Sequence, residues 1–415
     1  METIFISIAS YRDPELLPTL RDCLSNAKNS KRLRFGICWQ HDETETLGEF
    51  ANDSRFKFIK VPYEKSKGTC WARNMIQELY NGETFYLQLD SHHRFVKNWD
   101  DNLIKMLKSL QKKGHKKPLL TAYLPGFYPN NEPEGRVDEC WSLEFDRYMP
   151  EGPIFIKPHV IPDWKKLKEP IPSRFLSAHF IFTLGQWAKE VKYDPYYYFH
   201  GEEPSLAARS FTYGYDLFHP HKVNIWHEYT RSGKVKQWDD DKEWTKKNST
   251  SYSRYRYWHG MGNELPNTLI DIEKYGFGTE RTLEDYEKYI GVRFKTRQVH
   301  KHTAEYKPLP VPQENFEENL LNKVKVCIDI WKEAIKEPDY DNIVVAILDE
   351  NGQDVYRQDA SPEEIKNLMN ADPNDQFIHI WREYSDNKLP ASWRIWPHSA
   401  SKGWLDRIEN PIKYE

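Results

Sequence analysis

The sequence predicts an α/β fold on a mostly parallel sheet, followed by a smaller β-rich region. Three observations carry this. Apolar, β-branched runs alternate with amphipathic stretches from Thr3 to Leu124, the pattern of strands linked by crossover helices. Three polar clusters, "SYRD", "QHDE" and "DSHH", directly follow such runs. Beyond three prolines in residues 308–312, short strand-like runs follow one another with turns between them, which reads as a small β-sandwich.

Thr3–Ala9 (TIFISIA) reads as a buried strand. Asp13-Pro14 then marks a helix start, and Leu16, Leu17, Leu20, Cys23, Leu24 and Ala27 keep helical spacing. Leu33–Trp39 and Phe56–Val61 read as strands, Thr69–Tyr80 as a helix and Thr84–Leu89 as a fourth strand. Trp99–Lys112 is an amphipathic helix with Leu103, Met106, Leu107 and Leu110 on one face, and Leu119–Leu124 is a strand. Residues 125–300 are less regular, with a strand expected at Phe175–Thr183. "LPVPQENFEE" (309–318) reads as a linker. Val324–Ile330, Ile343–Leu348, Phe377–Trp381 and Trp393–Trp396 are the strand-like runs of the tail. The expected division is 1–307, a linker at 308–320, and a β-rich accessory region at 321–415.

Composition narrows the function. The chain has 415 residues, more than a typical single domain. Its 59 Lys+Arg against 63 Asp+Glu, net −4, argue against a nucleic-acid partner. Five scattered cysteines without a C-x-x-C read as reduced thiols, so a cytoplasmic location is expected. The start, METIFISIASYRD, lacks the apolar stretch of a signal peptide, and no run reaches the ~20 apolar residues of a membrane span. Two Asn-x-Ser/Thr triplets, at Asn52 and Asn248, read as chance. The 15 Trp and 25 Tyr suit surfaces that are flat, apolar and able to hydrogen-bond, as in sugar sites.

Ligands in parallel sheets bind at the carboxyl ends of strands, where the three polar clusters are expected. In "YLQLDSHHRF" (86–95), Asp90 and His92 sit at i and i+2. If the segment is extended they point the same way and can grip one ion, with oxygen and nitrogen donors suiting Mn²⁺ or Mg²⁺. If the extension continues, His93 points to the opposite side as a structural neighbour; a polar turn after a buried strand is the other reading. In "FHGEEPSLAARSFTYGYD" (199–216), Glu202 and Glu203 follow Gly201. They are candidates to steady a sugar, or simply acids at a helix N-terminus. His227 in "NIWHEYTR" is a candidate third ligand or a structural histidine. In "YEKSKGTCWARN" (63–74), Lys65, Lys67 and Arg73 flank Gly68 at a helix start that suits phosphate, or are ordinary solvated charge, with Arg73 the least ordinary of the three. "YSRYRYWHG" (252–260) reads as core packing or as a stacking surface.

Taken in order, "ISIASYRDPELLPTLRDCLSNA", "LRFGICWQHD", "GTCWARN", "LQLDSHHRF", "FHGEEPSLAARSFTYGYDLFHP", "HEYTR" and "RTLEDYEKYIGVRF" resemble one family. It is the N-acetylglucosaminyltransferase family that includes the cytoplasmic enzyme modifying hydroxyproline on Skp1. The resemblance covers about residues 1–295. It implies a GT-A fold, a UDP-sugar donor (UDP-GlcNAc), a Mn²⁺ or Mg²⁺ ion and retention of anomeric configuration. It implies Asp90, His92 and His227 as metal ligands, with Ser91 in the same triplet. Glu202 and Glu203 match the Gly-Glu-Glu motif near donor sugar and acceptor. Ser10, Tyr11, Arg12 and Asp13 match the first uridine-binding loop, and Arg73 the basic residue facing the nucleotide. The chain departs from the family pattern at His93, where an apolar residue is expected, and at His179, where Gly is expected. His179 then lies close to sugar or acceptor.

These readings give a retaining, metal-dependent transfer of sugar to an acceptor hydroxyl on a protein or glycan, with the tail a candidate for acceptor binding, self-association or stabilisation. A metal-dependent phosphoesterase and a non-catalytic carbohydrate-binding protein are the rivals.

Overall fold

The computed structural model describes residues 2–149, 151–231, 233–262, 266–371, 376–386, 388 and 390–412. The chain begins β1 (Ile4–Tyr11), α1 (Leu16–Asn26), β2 (Leu33–His41), β3 (Phe56–Pro62), α2 (Thr69–Gln77), β4 (Phe85–Leu89), β5 (His93–Phe95), α3 (Trp99–Lys112) and β6 (Pro118–Thr121). It continues with β7 (Trp141–Tyr148), β8 (Ile154–Val160), β9 (Ile171–Pro172), β10 (Phe180–Leu184), α4 (Trp187–Glu190), α5 (Glu202–Thr212), β11 (Asp216–His219), β12 (Ile225–His227), α6 (Gln237–Asp240) and α7 (Trp244–Trp258). The elements α8 (Leu283–Ile290), β13 (Val292–Arg293), β14 (Gln298–His300) and α9 (Lys301–Ala304) lead into the tail. The tail comprises β15 (Leu320–Trp331), β16 (Tyr340–Leu348), β17 (Asp354–Asp359), α10 (Pro362–Met369), β18 (Phe377–Asp386), β19 (Ser392–Ser399), β20 (Gly403–Trp404) and β21 (Ile408–Pro411).

The main sheet runs β3-β2-β1-β4-β10-β6-β11-β9. Strands β3, β2, β1 and β4 are parallel, and β10 inserts antiparallel between β4 and β6. Alternation along β1 explains its burial on both faces. Ile4, Ile6 and Ile8 join the cluster holding Leu16 and Leu20 of α1 and Leu103 and Leu107 of α3. Phe5 joins the opposite cluster, with Ile76 of α2, Leu206 of α5 and Tyr255 of α7. Each such aliphatic side chain contributes about 1.5–3 kcal/mol on burial, so the apolar faces fix the order of layers.

Two expected strands are shorter than their apolar runs. Leu119–Leu124 pairs only through Thr121, and Phe175–Thr183 only from Phe180. The reason is local. The Ser177 N–H donates to Thr121 Oγ1 (2.8 Å) and the Ala178 N–H to Glu203 (2.8 Å). Backbone groups satisfied by side chains are withdrawn from the ladder.

The tail strands lie in two sheets: β15 and β18 extend β13-β14 of the preceding segment into β13-β14-β15-β18, and β17-β16-β19-β20 with β21 on β19 forms the other. Val326, Ile328, Ile330 and Ile380 of one share an apolar cluster with Ile343, Val345, Ile347 and Ile395 of the other, the layout of a sandwich. Helix α10 also enters this cluster, through Ile365 and Leu368. Its start signal was in the sequence: Ser361 and Glu364 form a capping box with Pro362 at the first turn. The linker stretch is not free chain. Val311 and Phe316 pack with Leu320, and β14 pairs directly with β15. Helix α7 takes up most of "YSRYRYWHG", where Tyr255 is buried and Arg254 Nε donates to Asp194 (2.7 Å). Among the described residues, no helix is long and apolar enough to cross a membrane.

Candidate functional site

Strands β1, β2 and β4 end side by side, because Ile8 pairs with Leu89 and Tyr11 with Gln40. The three polar clusters therefore share one edge. Past Leu89 the chain bends at Ser91 before β5 begins. The bend, rather than an extended run, brings Asp90 and His92 together: His92 Nε2 lies 3.9 Å from Asp90 Oδ2. The third member arrives through the two-stranded ribbon β5–β12, which sets His227 opposite His93. There His227 Nε2 lies 3.4 Å from Asp90 Oδ2. One ligand atom from each of Asp90, His92 and His227 falls within 4.8 Å of the other two.

Neighbours fix these groups. The Asp13 carboxylate is buried and accepts from Ser91 Oγ (2.6 Å) and His92 Nδ1 (2.7 Å). That leaves His92 Nε2 as the ring's remaining ligand atom, the arrangement of a carboxylate orienting a metal-binding histidine. Burial alone raises the Asp13 carboxyl, but His92, Arg231 and Ser91 outweigh it and hold it below the usual carboxylate range. Burial opposes the charge on Asp90 too, and His227 and Arg73 outweigh it. Burial pushes the His227 imidazole down to about 4, so it is neutral near pH 7 and able to ligate. With metal–ligand bonds of about 2.0–2.3 Å, neighbouring ligand atoms lie about 3–3.8 Å apart, close to the separations here. The residues fit a divalent ion.

Arg73 ties this cluster to the glutamates. Its side chain is 3% exposed and donates to Asp90 Oδ1 (2.6 Å) and Glu202 Oε1 (2.7 Å). Asp90 Oδ1 is thus committed, and Oδ2 faces the imidazoles. Glu203 accepts from the Ala178 N–H (2.8 Å), Ser177 Oγ (3.1 Å) and Tyr123 OH (2.9 Å). Burial pushes its carboxyl up to about 7, against the pull of those hydrogen bonds. His179 accepts the Leu124 N–H at Nε2 (3.1 Å), so its proton sits on Nδ1, directed at Ser177 Oγ (3.0 Å). Its ring stacks on His227, with centroids 4.3 Å apart.

The family model described as Glycosyltransferase (GlcNAc) matches residues 3–53 and 48–296, more than half of the chain. The chain belongs to the GlcNAc glycosyltransferase family. Among solved structures, this glycosyltransferase resembles GalNAc-T7, crystallised with UDP, GalNAc and Mn²⁺. The two are 12% identical with a TM-score of 0.50, over 98% of this chain and 68% of that one. S. aureus TarS 1–349 in complex with UDP-GlcNAc aligns with 65% of this chain and 70% of its own, at 11% identity and a TM-score of 0.40. S. aureus TarS aligns with 99% of this chain and 77% of its own, at 10% identity and a TM-score of 0.38. No curated protein matches the sequence. The likeness to GalNAc-T7 is one of fold, and the architecture of this glycosyltransferase is that of a GT-A enzyme with added C-terminal sheets.

The glycosyltransferase brings together Asp13, Arg73, Asp90, Ser91, His92, His179, Glu202, Glu203 and His227 as described. Ser10 Oγ is buried and has no hydrogen-bond partner among the described residues. Tyr11 OH donates to Asp240 (2.6 Å), and Arg12 reaches the same carboxylate at 2.9 Å with its guanidinium 4.3 Å above the Tyr63 ring. Lys65 and Lys67 stay exposed in solvent. His93 does not turn away from the cluster, because the bend at Ser91 breaks strict alternation. Its ring centroid is 5.0 Å from His227, and its Nδ1 donates to the Asp90 carbonyl (3.1 Å). Sequence reasoning assigned no part to Tyr123, Ser177, Tyr229, Asp240 or Tyr193, whose ring lies 5.7 Å from the Arg73 guanidinium. Tyr229 stood in the His-x-Tyr-x-Arg motif; it is exposed, with its ring 4.3 Å from His227. Asp240 carried no signal, since it meets Arg12 from 228 positions away.

Proposed function

We propose that the protein is a metal-dependent, retaining transferase that moves a sugar, GlcNAc by preference, from a UDP-sugar to an acceptor hydroxyl. The observation that carries this reading is the convergence of Asp90 Oδ2 on His227 Nε2 (3.4 Å) and His92 Nε2 (3.9 Å) at the end of β4. Membership of the GlcNAc glycosyltransferase family supports it. Mn²⁺ or Mg²⁺ held by Asp90, His92 and His227 would neutralise a diphosphate and stabilise it as a leaving group. Asp13 holds the His92 ring, and Arg73 holds Asp90 and Glu202 at once. Ser10, Tyr11 and Arg12 line the end of β1 for the uridine. Both glutamates are held by donors, Glu202 at Oε1 by Arg73 and Glu203 by three groups. That supports orientation of sugar and acceptor over nucleophilic attack, with the acceptor proton passing to the departing phosphate oxygen.

In the same reading residues 1–307 carry the chemistry and 321–415 are an accessory region for acceptor or self-association, in a cytoplasmic enzyme. The acceptor is a protein hydroxyl, as in the Skp1 hydroxyproline type that the motifs resemble, or a glycan. A hydroxyprolyl peptide and an oligosaccharide offered with labelled UDP-GlcNAc separate the two.

A thermal-shift panel of nucleotides with and without Mn²⁺ tests the donor half. UDP at 100 times its Kd stabilises by about 2.7 kcal/mol, and the rise is expected only with Mn²⁺ and not in Asp90→Ala. Equal stabilisation in EDTA, or in Asp90→Ala, overturns the metal assignment. No response to UDP overturns the donor.

A further inference from the structure

The tail carries a second cluster of ligand atoms, on the outer face of the β15–β18 pair. In this antiparallel ladder Asp329 lies directly opposite His379, and Cys327 is two residues back on the same face. Cys327 Sγ is 3.0 Å from Asp329 Oδ1 and 3.7 Å from His379 Nδ1, and the latter two atoms are 2.7 Å apart. Four of the five cysteines are buried as small apolar side chains; Cys327 is the exception. We propose that Cys327, Asp329 and His379 form a transition-metal site of the zinc class that clasps β15 to β18.

The donor set argues for this class. Thiolate, carboxylate and imidazole are the ligands that Zn²⁺ and its neighbours take, with three protein groups and water completing a tetrahedral shell. Hard ions such as Mn²⁺ and Mg²⁺ do not favour sulfur, so the cluster differs in kind from the oxygen and nitrogen set at Asp90. Ligand atoms around zinc lie about 3.3–3.8 Å apart. The sulfur–nitrogen separation already matches, and the two shorter ones open by about half an ångström through rotation of exposed side chains. At present Asp329 Oδ1 receives both the thiol and the imidazole. The ion takes the place of those two protons: the thiol proton leaves to solvent, and the imidazole proton moves to Nε2 of the exposed ring. One thiolate and one carboxylate then balance a divalent charge. The nearby Lys325 is drawn aside, 5.2 Å over Trp381 and 3.9 Å from Glu383. As a bare exposed ion pair, Asp329–His379 contributes only about 0–1 kcal/mol.

Cobalt titration of the metal-free full chain under a non-thiol reductant tests the site, because only a sulfur ligand gives a thiolate-to-cobalt charge-transfer band. Two equivalents of Co²⁺, enough to fill the Asp90 cluster as well, are expected to raise the band in the wild type, and Zn²⁺ to abolish it. The band is expected to vanish in Cys327→Ser and to need at least about tenfold more cobalt in His379→Ala, with circular dichroism confirming that both variants are folded. No band in the wild type, or one that survives Cys327→Ser, overturns the proposal. Unchanged affinity in His379→Ala overturns the three-ligand site.

Discussion

Asp13 shows what a buried carboxylate does for a neighbouring imidazole. It accepts from Ser91 and His92 through the same oxygen, Oδ2, and so sets which nitrogen of His92 faces Asp90. Asp13→Asn keeps the shape and weakens the acceptor. Mn²⁺ affinity, read by titrating the UDP-dependent thermal shift, should fall tenfold to a hundredfold, the usual cost of losing such a partner. Glu203 gives a pH signature. Its folded pKa of about 7 stands above the usual 4.5, so the fold holds a proton there that the unfolded chain releases at lower pH. Its stabilising contribution is complete below about 4.5 and is lost as pH rises through about 7. Glu203→Gln removes that dependence. Relative to the wild type, the Tm of Glu203→Gln should be more favourable at pH 8 than at pH 5; a gap that does not change with pH would rule out the assignment.

Among the elements, the start of α5 places both glutamates. Gly201 caps it at φ 92, and an added Cβ would stand 3.1 Å from the Tyr197 ring. Gly201→Ala should therefore cost about 1–3 kcal/mol in urea unfolding and lower turnover more than UDP affinity, since Glu202 and Glu203 move with the cap. The ribbon β5–β12 does the matching work for His227. Only three residues long on each side, it depends on the Glu228 N–H donating to the His92 carbonyl (3.1 Å) and the His227 N–H to that of Pro125 (3.0 Å). None of these partners is adjacent in sequence.

At the scale of the molecule, the nine clustered residues of the site, from Asp13 to His227, all precede the tail. The tail meets the rest through β14–β15, through the small cluster of Val311, Phe316 and Leu320, and through Lys323, whose Nζ donates to Tyr306 OH (3.2 Å). A chain ending at residue 319 should keep its Mn²⁺-dependent response to UDP while melting at a lower temperature, because Val299 and His300 lose their strand partners. Loss of the UDP response in a folded truncation would place part of the site in the tail.

Alternation and helical spacing in the sequence were enough for the parallel strands, for α1, α2 and α3, and for the edge where Asp90 sits, because period 2 and period 3.6 are local properties of the backbone. Motif order pointed to His227 and to the Gly-Glu-Glu pair. What the sequence could not contain is who satisfies whom. The commitment of Arg73 to Asp90 and Glu202, of Asp13 to His92, and of Glu203 to Tyr123, Ser177 and Ala178 joins segments 17 to 129 positions apart. Such pairings follow from which strand ends the sheet sets side by side, and from the cost of leaving a buried charge unpaired. They are properties of the folded layers and of no single stretch of chain.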